Sequence, residues 1–143
     1  MNLYLESSAA LADWLEEPKA FAVRSLLRDP AQVITSELTL IECDRAFFRA
    51  EAIGRLSAAA AIRLQGAAST LWTQCHVLAF ETGVVSRARD RFASEPIRTW
   101  DALHLAFLEL AQQLAGNTAM LSLDDRVRTA ARALGATVLP ETV

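Results

Sequence analysis

Short apolar runs alternate with stretches of helical periodicity along the whole chain. Leu3-Tyr4-Leu5 is the first run and predicts a strand; Ser7-Ser8 then caps a helix whose apolar face carries Leu11, Trp14 and Leu15. Pro18 fits the first turn of a second helix, running through Phe21 to Leu27 and stopping before Pro30. Val33-Ile34-Thr35 reads as a second strand, after which Ser36 caps a helix to about Ala52 that Gly54 ends. A long helix from about Leu56 to Trp72 places Leu56, Ala60, Leu64, Ala67 and Leu71 on one face. His76-Val77-Leu78-Ala79 predicts a third strand, and Thr82 to Ala93 a helix that the break at Pro96 follows. A very apolar helix spans about Thr99 to Leu114, closed by Gly116, and Ala119 to Leu123 form a fourth strand. Val127, Ala130, Ala131 and Leu134 then recur at i, i+3, i+4 and i+7, with Gly135 at the C′ position, and Ala136 to Leu139 make a last short strand.

Strands that are apolar throughout belong in a parallel sheet covered on both faces, and helices between them keep them pointing the same way. The predicted class is therefore α/β: a three-layer α/β/α sandwich with a short, mostly parallel central sheet, in one domain over residues 1–143. In such sheets ligands bind beyond the carboxyl ends of the strands.

Composition narrows the function classes. With 52% hydrophobic residues and a mean hydropathy of +0.21, the chain has little room for disorder. No apolar run is long enough to span a bilayer, and no basic stretch precedes an apolar one near Met1, so no membrane role and a cytoplasmic location are expected. Cys43 and Cys75 show neither CxxC nor Cys/His ligand spacing and read as reduced, largely buried thiols. A net charge of −3 and a pI of about 5.4 argue against strong duplex binding by phosphate neutralisation, while leaving room for an acidic metal site with a local basic rim. Lys19 is the only lysine, far from where a phospho-acceptor receiver domain would need one, and no Gly-rich turn follows a strand to support a P-loop or Rossmann site.

Four carboxylates stand where chemistry is expected. Glu6 directly follows the first strand and Asp124 the fourth; each also opens a helix, so a cap at the helix dipole is the structural alternative. Asp101 shares its face with Leu105 and Leu108 on a helix apolar almost all round, and needs a partner: His104 at i+3, or a metal. Glu42 borders the apolar stripe of its helix and has Arg45 as an i+3 ion-pair partner. Like charges gathered at one spot repel unless a cation sits among them, and Mg²⁺ or Mn²⁺ prefers oxygen ligands. A cation so held can acidify a water and steady an in-line attack on phosphorus.

These residues lie in four motifs: Leu3-Tyr4-Leu5-Glu6-Ser7-Ser8-Ala9; Thr35-Ser36-Glu37-Leu38 leading to Ile41-Glu42; Ile97-Arg98-Thr99-Trp100-Asp101-Ala102-Leu103-His104-Leu105-Ala106; and Leu121-Ser122-Leu123-Asp124-Asp125-Arg126-Val127. In order and spacing they resemble the PIN-domain ribonucleases, most closely the VapC-type toxins of bacterial toxin–antitoxin pairs. The third motif is the most specific, being close to a family signature. The resemblance implies cleavage of single-stranded RNA with a divalent metal, a homodimer, and inhibition by a cognate antitoxin. One departure stands out: the family's first acid is usually aspartate, and here Glu6 carries an extra methylene.

On this reading Glu6, Glu42, Asp101 and Asp124 form the catalytic cluster, with Glu6, Asp101 and Asp124 as ligands of Mg²⁺, or of Mn²⁺. Ser8 supports the acidic pocket by hydrogen bonding, and Arg45, Arg98 and Arg126 are candidate phosphate contacts. Asp124 is preferred to Asp125 because it follows the strand immediately. The competing reading is a non-catalytic PIN-like module that binds RNA or a protein, and Glu6 is the feature that supports it. Trp14, Trp72 and Trp100 read as core or dimer-interface aromatics rather than base-stacking platforms.

Overall fold

Five short strands pair in the order β3-β2-β1-β4-β5, and all four pairings are parallel. The structure, a computed structural model, describes residues 1–143. In chain order its elements are β1 (Asn2–Leu5), α1 (Ser7–Trp14), α2 (Ala20–Leu26), β2 (Gln32–Ser36), α3 (Glu37–Ala52), α4 (Ala58–Trp72), β3 (His76–Leu78), α5 (Thr82–Arg89), α6 (Thr99–Ala115), β4 (Thr118–Leu121), α7 (Asp125–Ala133) and β5 (Val138–Leu139). The α/β class is as expected, and the sheet is parallel throughout rather than mostly so.

The period-2 alternation of each strand divides the interior into two layers. Tyr4, Ile34, Met120 and Val138 point to the side covered by α5, α6 and α7, where Leu105, Phe107 and Leu108 are fully buried. Leu3, Leu5, Ala119 and Leu121 point to the other, against α1, α2 and Phe47 of α3. Trp14 belongs to this second layer, edge-on to Phe47 and Trp72 with ring centroids 5.7 and 5.8 Å away. Burial of some thirty apolar side chains in these two layers drives the fold, each large one contributing roughly 1.5–3 kcal/mol.

Several element boundaries differ from expectation for identifiable reasons. The α2 helix begins at Ala20, two residues beyond Pro18. The α5 helix stops at Arg89 rather than Ala93. Phe92 turns into the core, and the Glu95 carboxylate takes the backbone N–H groups of Phe92 and Ile97 at 3.1 and 3.0 Å, which commits residues 90–97 to a loop. On α4, Leu64 and Leu71 of the expected stripe pack against the core, together with the fully buried Ala61 and Ala68, while Ala67 faces solvent. No helix is long and apolar enough to cross a membrane.

The C-terminal edge is tied down by a buried arginine. Arg128 of α7, 3% exposed, faces carbonyl oxygens rather than a carboxylate: it donates to Ser122 (2.6 Å), Leu139 (3.2 Å), Pro140 (2.6 Å) and Glu141 (3.5 Å). The guanidinium fork thereby links the end of β4 to β5 and the residues beyond it. Arg128→Met keeps an aliphatic stem but strips these carbonyls of their donor, and a stability loss of about 2–3 kcal/mol is expected from unsatisfied buried acceptors. A urea titration checks this: the midpoint should fall with the slope unchanged, and an unmoved midpoint would show that the clamp contributes nothing.

Candidate active site

In the strand order β3-β2-β1-β4-β5, consecutive strands run outward from β1 in both directions, so the carboxyl ends of β1 and β4 flank the point where the winding reverses. Glu6 is the first residue past β1, and its backbone N–H still donates to the Leu121 carbonyl at 3.0 Å. Of the two cap readings, Ser7-Ser8 and Glu6, the second holds: Glu6 is the N-cap of α1, with the Ser8 N–H donating to Oε2 at 3.1 Å. That oxygen also accepts from the Ser8 hydroxyl in a short bond and from the Ser122 hydroxyl at 2.8 Å. Oε1 accepts only from the Ser7 hydroxyl, at 2.7 Å. A carboxylate has about four lone-pair sites, so Oε2 is saturated and Oε1 is the oxygen with capacity left.

Asp124 lies across from Glu6 and is the N-cap of α7: its Oδ1 accepts from Arg126 and Val127 backbone N–H groups at 2.9 and 3.3 Å. The two acids are joined through Ser8, whose Oγ accepts from the N–H groups of Leu123 (2.8 Å) and Asp124 (3.1 Å). Helix-cap and acidic-site placements therefore hold together for both residues. Asp125, by contrast, is solvent-exposed.

Glu42 arrives from α3, which Ser36 caps as expected at the end of β2. The anticipated pair with Arg45 does not form. Glu42 turns inward and its Oε1 lies 2.5 Å from Nε2 of His104, while Arg45 stacks over Phe48 at 5.6 Å. His104 Nε2 is also 3.7 Å from Glu6 Oε1. So His104, weighed from the sequence as a partner of Asp101, instead bridges toward Glu42 and Glu6. Burial alone would pull its imidazole pKa down, but the bond from Glu42 and the charges of Glu6, Glu42 and Asp101 outweigh that and raise it.

Asp101 sits one helical turn ahead of His104 on the same face of α6, with its side chain 16% exposed and Arg126 Nε 4.0 Å from Oδ2. Its pKa is raised, first by burial and then by the neighbouring charge of Asp124, with Arg126 and His104 opposing. Two cavities open on either side of the acidic residues. One, of about 600 Å³, is lined by Arg98, Asp101, Asp125 and Arg126; the other, of about 420 Å³, by Ser7, Glu42, Arg45, Arg49 and Trp100. Trp100 is 59% exposed, unlike Trp14 and Trp72, so it is not a core residue.

Sequence reasoning missed the roles of His104 and Ser122. A lone imidazole in an otherwise apolar helix was the available signal for the first; for the second it was the place of Ser122 in the fourth motif, two residues before Asp124, although only the β1–β4 pairing brings it to Glu6. A carboxylate oxygen from each of Glu6 and Glu42 and a ring nitrogen of His104 lie within 4.8 Å of one another. The predicted ligands Asp101 and Asp124 lie outside this group: Asp101, on α6, is near enough to feel the charges of Asp124, His104 and Glu6. This donor set, mostly hard oxygens with uncompensated like charge, fits a small divalent cation.

A family model described as PIN domain matches residues 3–133. The chain belongs to the PIN domain family. Over 150 aligned residues, covering 96% of this PIN chain and 95% of the relative, it is 29% identical to Ribonuclease VapC35 of Mycobacterium tuberculosis, in strains CDC 1551 / Oshkosh and H37Rv alike. Among solved structures, Mycobacterium tuberculosis VapC20, described as a sarcin-ricin loop cleaving toxin, superposes with a TM-score of 0.66 at 19% identity, covering 90% of this chain and 94% of that one. FitAB bound to an IR36 DNA fragment gives 0.71 at 15% identity, with 95% and 92% covered. VapBC-1 from nontypeable Haemophilus influenzae gives 0.59 at 18%, with 96% of each chain covered. These structures share the fold of this PIN domain.

If the acidic residues share a cation, it should stabilise the folded chain and the charge of Asp101 should matter in both states. Mn²⁺ at about 100 times its Kd is expected to add roughly 2.7 kcal/mol, read as a rise in Tm. Asp101→Asn should stabilise the metal-free protein by on the order of 1 kcal/mol through relieved repulsion, read as a higher Tm, and shrink the metal-induced rise. A native-sized rise in the variant would remove Asp101 from the site.

Proposed function

We propose that the chain is a divalent-metal-dependent endoribonuclease, the toxin of a type II toxin–antitoxin pair, which cuts single-stranded regions of RNA in the cytoplasm. The carrying observation is the convergence of Glu6 and Glu42, with Asp101 and Asp124 beside them, at the switch point of a PIN sheet. Ribonuclease VapC35 and the sarcin-ricin loop cleaving toxin VapC20 point to the same activity and target class.

Glu6 through Oε1, Asp101 and Asp124 are assigned as ligands of Mg²⁺ or Mn²⁺, and Glu42 completes the cluster. When bound, the cation supplies Lewis-acid polarisation and neutralises charge developing on the phosphoryl group. The chain's own residues set the geometry. Ser8 and Ser122 fix Glu6 and hold the Asp124 backbone beside it. Arg98 and Arg126 line the larger cavity next to Asp101, and Arg45 and Arg49 the smaller one next to Glu42, so a backbone laid across the acids meets guanidinium groups on both sides. A cognate antitoxin that silences this site follows from the same assignment.

Purified protein with Mg²⁺ or Mn²⁺ should cleave single-stranded RNA and lose that activity in EDTA. Asp101→Asn should lower the rate by on the order of 10²-fold or more. RNA left intact with every divalent metal tried would favour a PIN-like binding module instead. The homodimer that the family resemblance implies has its own check. Light scattering of the antitoxin-free chain should give twice the monomer mass of 15.6 kDa; a monomer at high concentration would refute the dimer.

A further inference from the structure

His104 is the one buried imidazole of the chain, 1% exposed, and both of its ring nitrogens are engaged. Nδ1 lies 3.0 Å from the Tyr4 hydroxyl, and Nε2 lies 2.5 Å from Glu42 Oε1. Tyr4 is fully buried, meets the imidazole edge-on, and its hydroxyl is 2.9 Å from Ser36 Oγ. A chain of contacts thus runs from the N-cap of α3 through β1 to α6 and back to α3. Its end point is a carboxylate that has no other hydrogen-bond partner.

Glu42 needs such a restraint. It follows the half-exposed Ile41, its own side chain is 32% exposed, and an unrestrained glutamate has up to roughly 2 kcal/mol of rotamer freedom that favours swinging into water. The contacts favour one of two roles for His104, hydrogen-bond partner of a ligand rather than ligand. Nε2 and Glu42 Oε1 are placed as donor and acceptor at hydrogen-bond distance. The 3.7 Å to Glu6 Oε1 leaves that oxygen without a bond from the ring.

We propose that His104 is a positioning residue: it holds the Glu42 carboxylate beside Glu6 so that both face one divalent cation, while Tyr4 and Ser36 fix the ring. This rests on reading the acidic cluster as a cation site. Outer hydrogen-bonding partners of metal ligands typically govern 10- to 100-fold in metal affinity.

The test is calorimetric titration of the full chain with Mn²⁺ and, separately, Mg²⁺. His104→Leu, which keeps the volume but removes both bonds, should weaken both metals by about 10- to 100-fold, to a similar extent. His104→Gln, whose amide N–H can reach Glu42, should recover most of the affinity. Tyr4→Phe leaves the packing intact and frees the ring, and should weaken binding severalfold; it decides the matter if His104→Leu fails to fold. Native affinity in His104→Leu or in Tyr4→Phe overturns the proposal. Equal losses in the Leu and Gln variants do so as well, since they indicate packing alone. A loss confined to Mn²⁺ also overturns it, by making His104 a ligand. If Glu42→Gln weakens binding and His104→Leu does not, only the positioning role fails. If the native chain binds neither metal, the cation site itself fails, and this inference with it.

Discussion

The carboxyl edge of the sheet is organised by one interaction, the grip of serine hydroxyls on Glu6. Ser8 and Ser122 both donate to Oε2, and the same two hydroxyls accept the Asp124 N–H, so the end of β1 and the end of β4 are laced through oxygen atoms that leave no unused donors. The Leu5 carbonyl just before Glu6 is held in its turn by the Thr35 and Thr39 hydroxyls at 2.7 and 3.3 Å, which secures the neighbouring β2–α3 junction. A buried carboxylate is tolerated when its oxygens are hydrogen-bonded. With Glu6 held in this way, α1 starts directly after it and α7 starts beside it, across the Ser8 and Ser122 hydroxyls.

That lattice concentrates negative charge, and the concentration is the site's defining constraint. Asp101 titrates high because burial and Asp124 both disfavour its charge, and Arg126 at 4.0 Å is mostly solvated and compensates only in part. Burial of His104 disfavours its charged form, but the bond from Glu42 and the charges of Glu6, Glu42 and Asp101 outweigh that and raise its pKa. An arrangement with several acids, one imidazole and a half-exposed arginine is the pattern expected where function rather than folding has set the residues.

Much of this was legible in the sequence because it is local. The Ser36 cap, the Gly54, Gly116 and Gly135 helix ends, the apolar strands and the acids at strand ends all depend on residues within a turn of one another. The positions that misled are those where a distant partner decides. Glu6, rather than Ser7-Ser8, holds the cap because the Ser8 hydroxyl and that of Ser122, just beyond β4, steady its carboxylate; α5 ended early because Phe92 found the core. Glu42 ignored Arg45, its neighbour in sequence, for an imidazole 62 residues away. Side chains on an exposed helix face follow sequence spacing, whereas those at a layer boundary follow whichever buried donor the sheet brings up, and periodicity carries no record of that donor.

The extra methylene of Glu6 can be understood in the same terms. A carboxylate one bond farther from the backbone would drift if nothing held it, and the position would then present a mobile ligand where small divalent ions require near-ideal geometry. Here the added reach lets the side chain curl back over the start of α1, where the Ser8 N–H, the Ser8 hydroxyl and the Ser122 hydroxyl together immobilise Oε2. Rotation about the last carbon–carbon bond is thereby blocked, and Oε1, bonded only to Ser7, is left facing His104 and Glu42. The longer acid is thus compatible with a fixed ligand oxygen, because the serines that surround it supply the rigidity that a shorter side chain would have had from its own length.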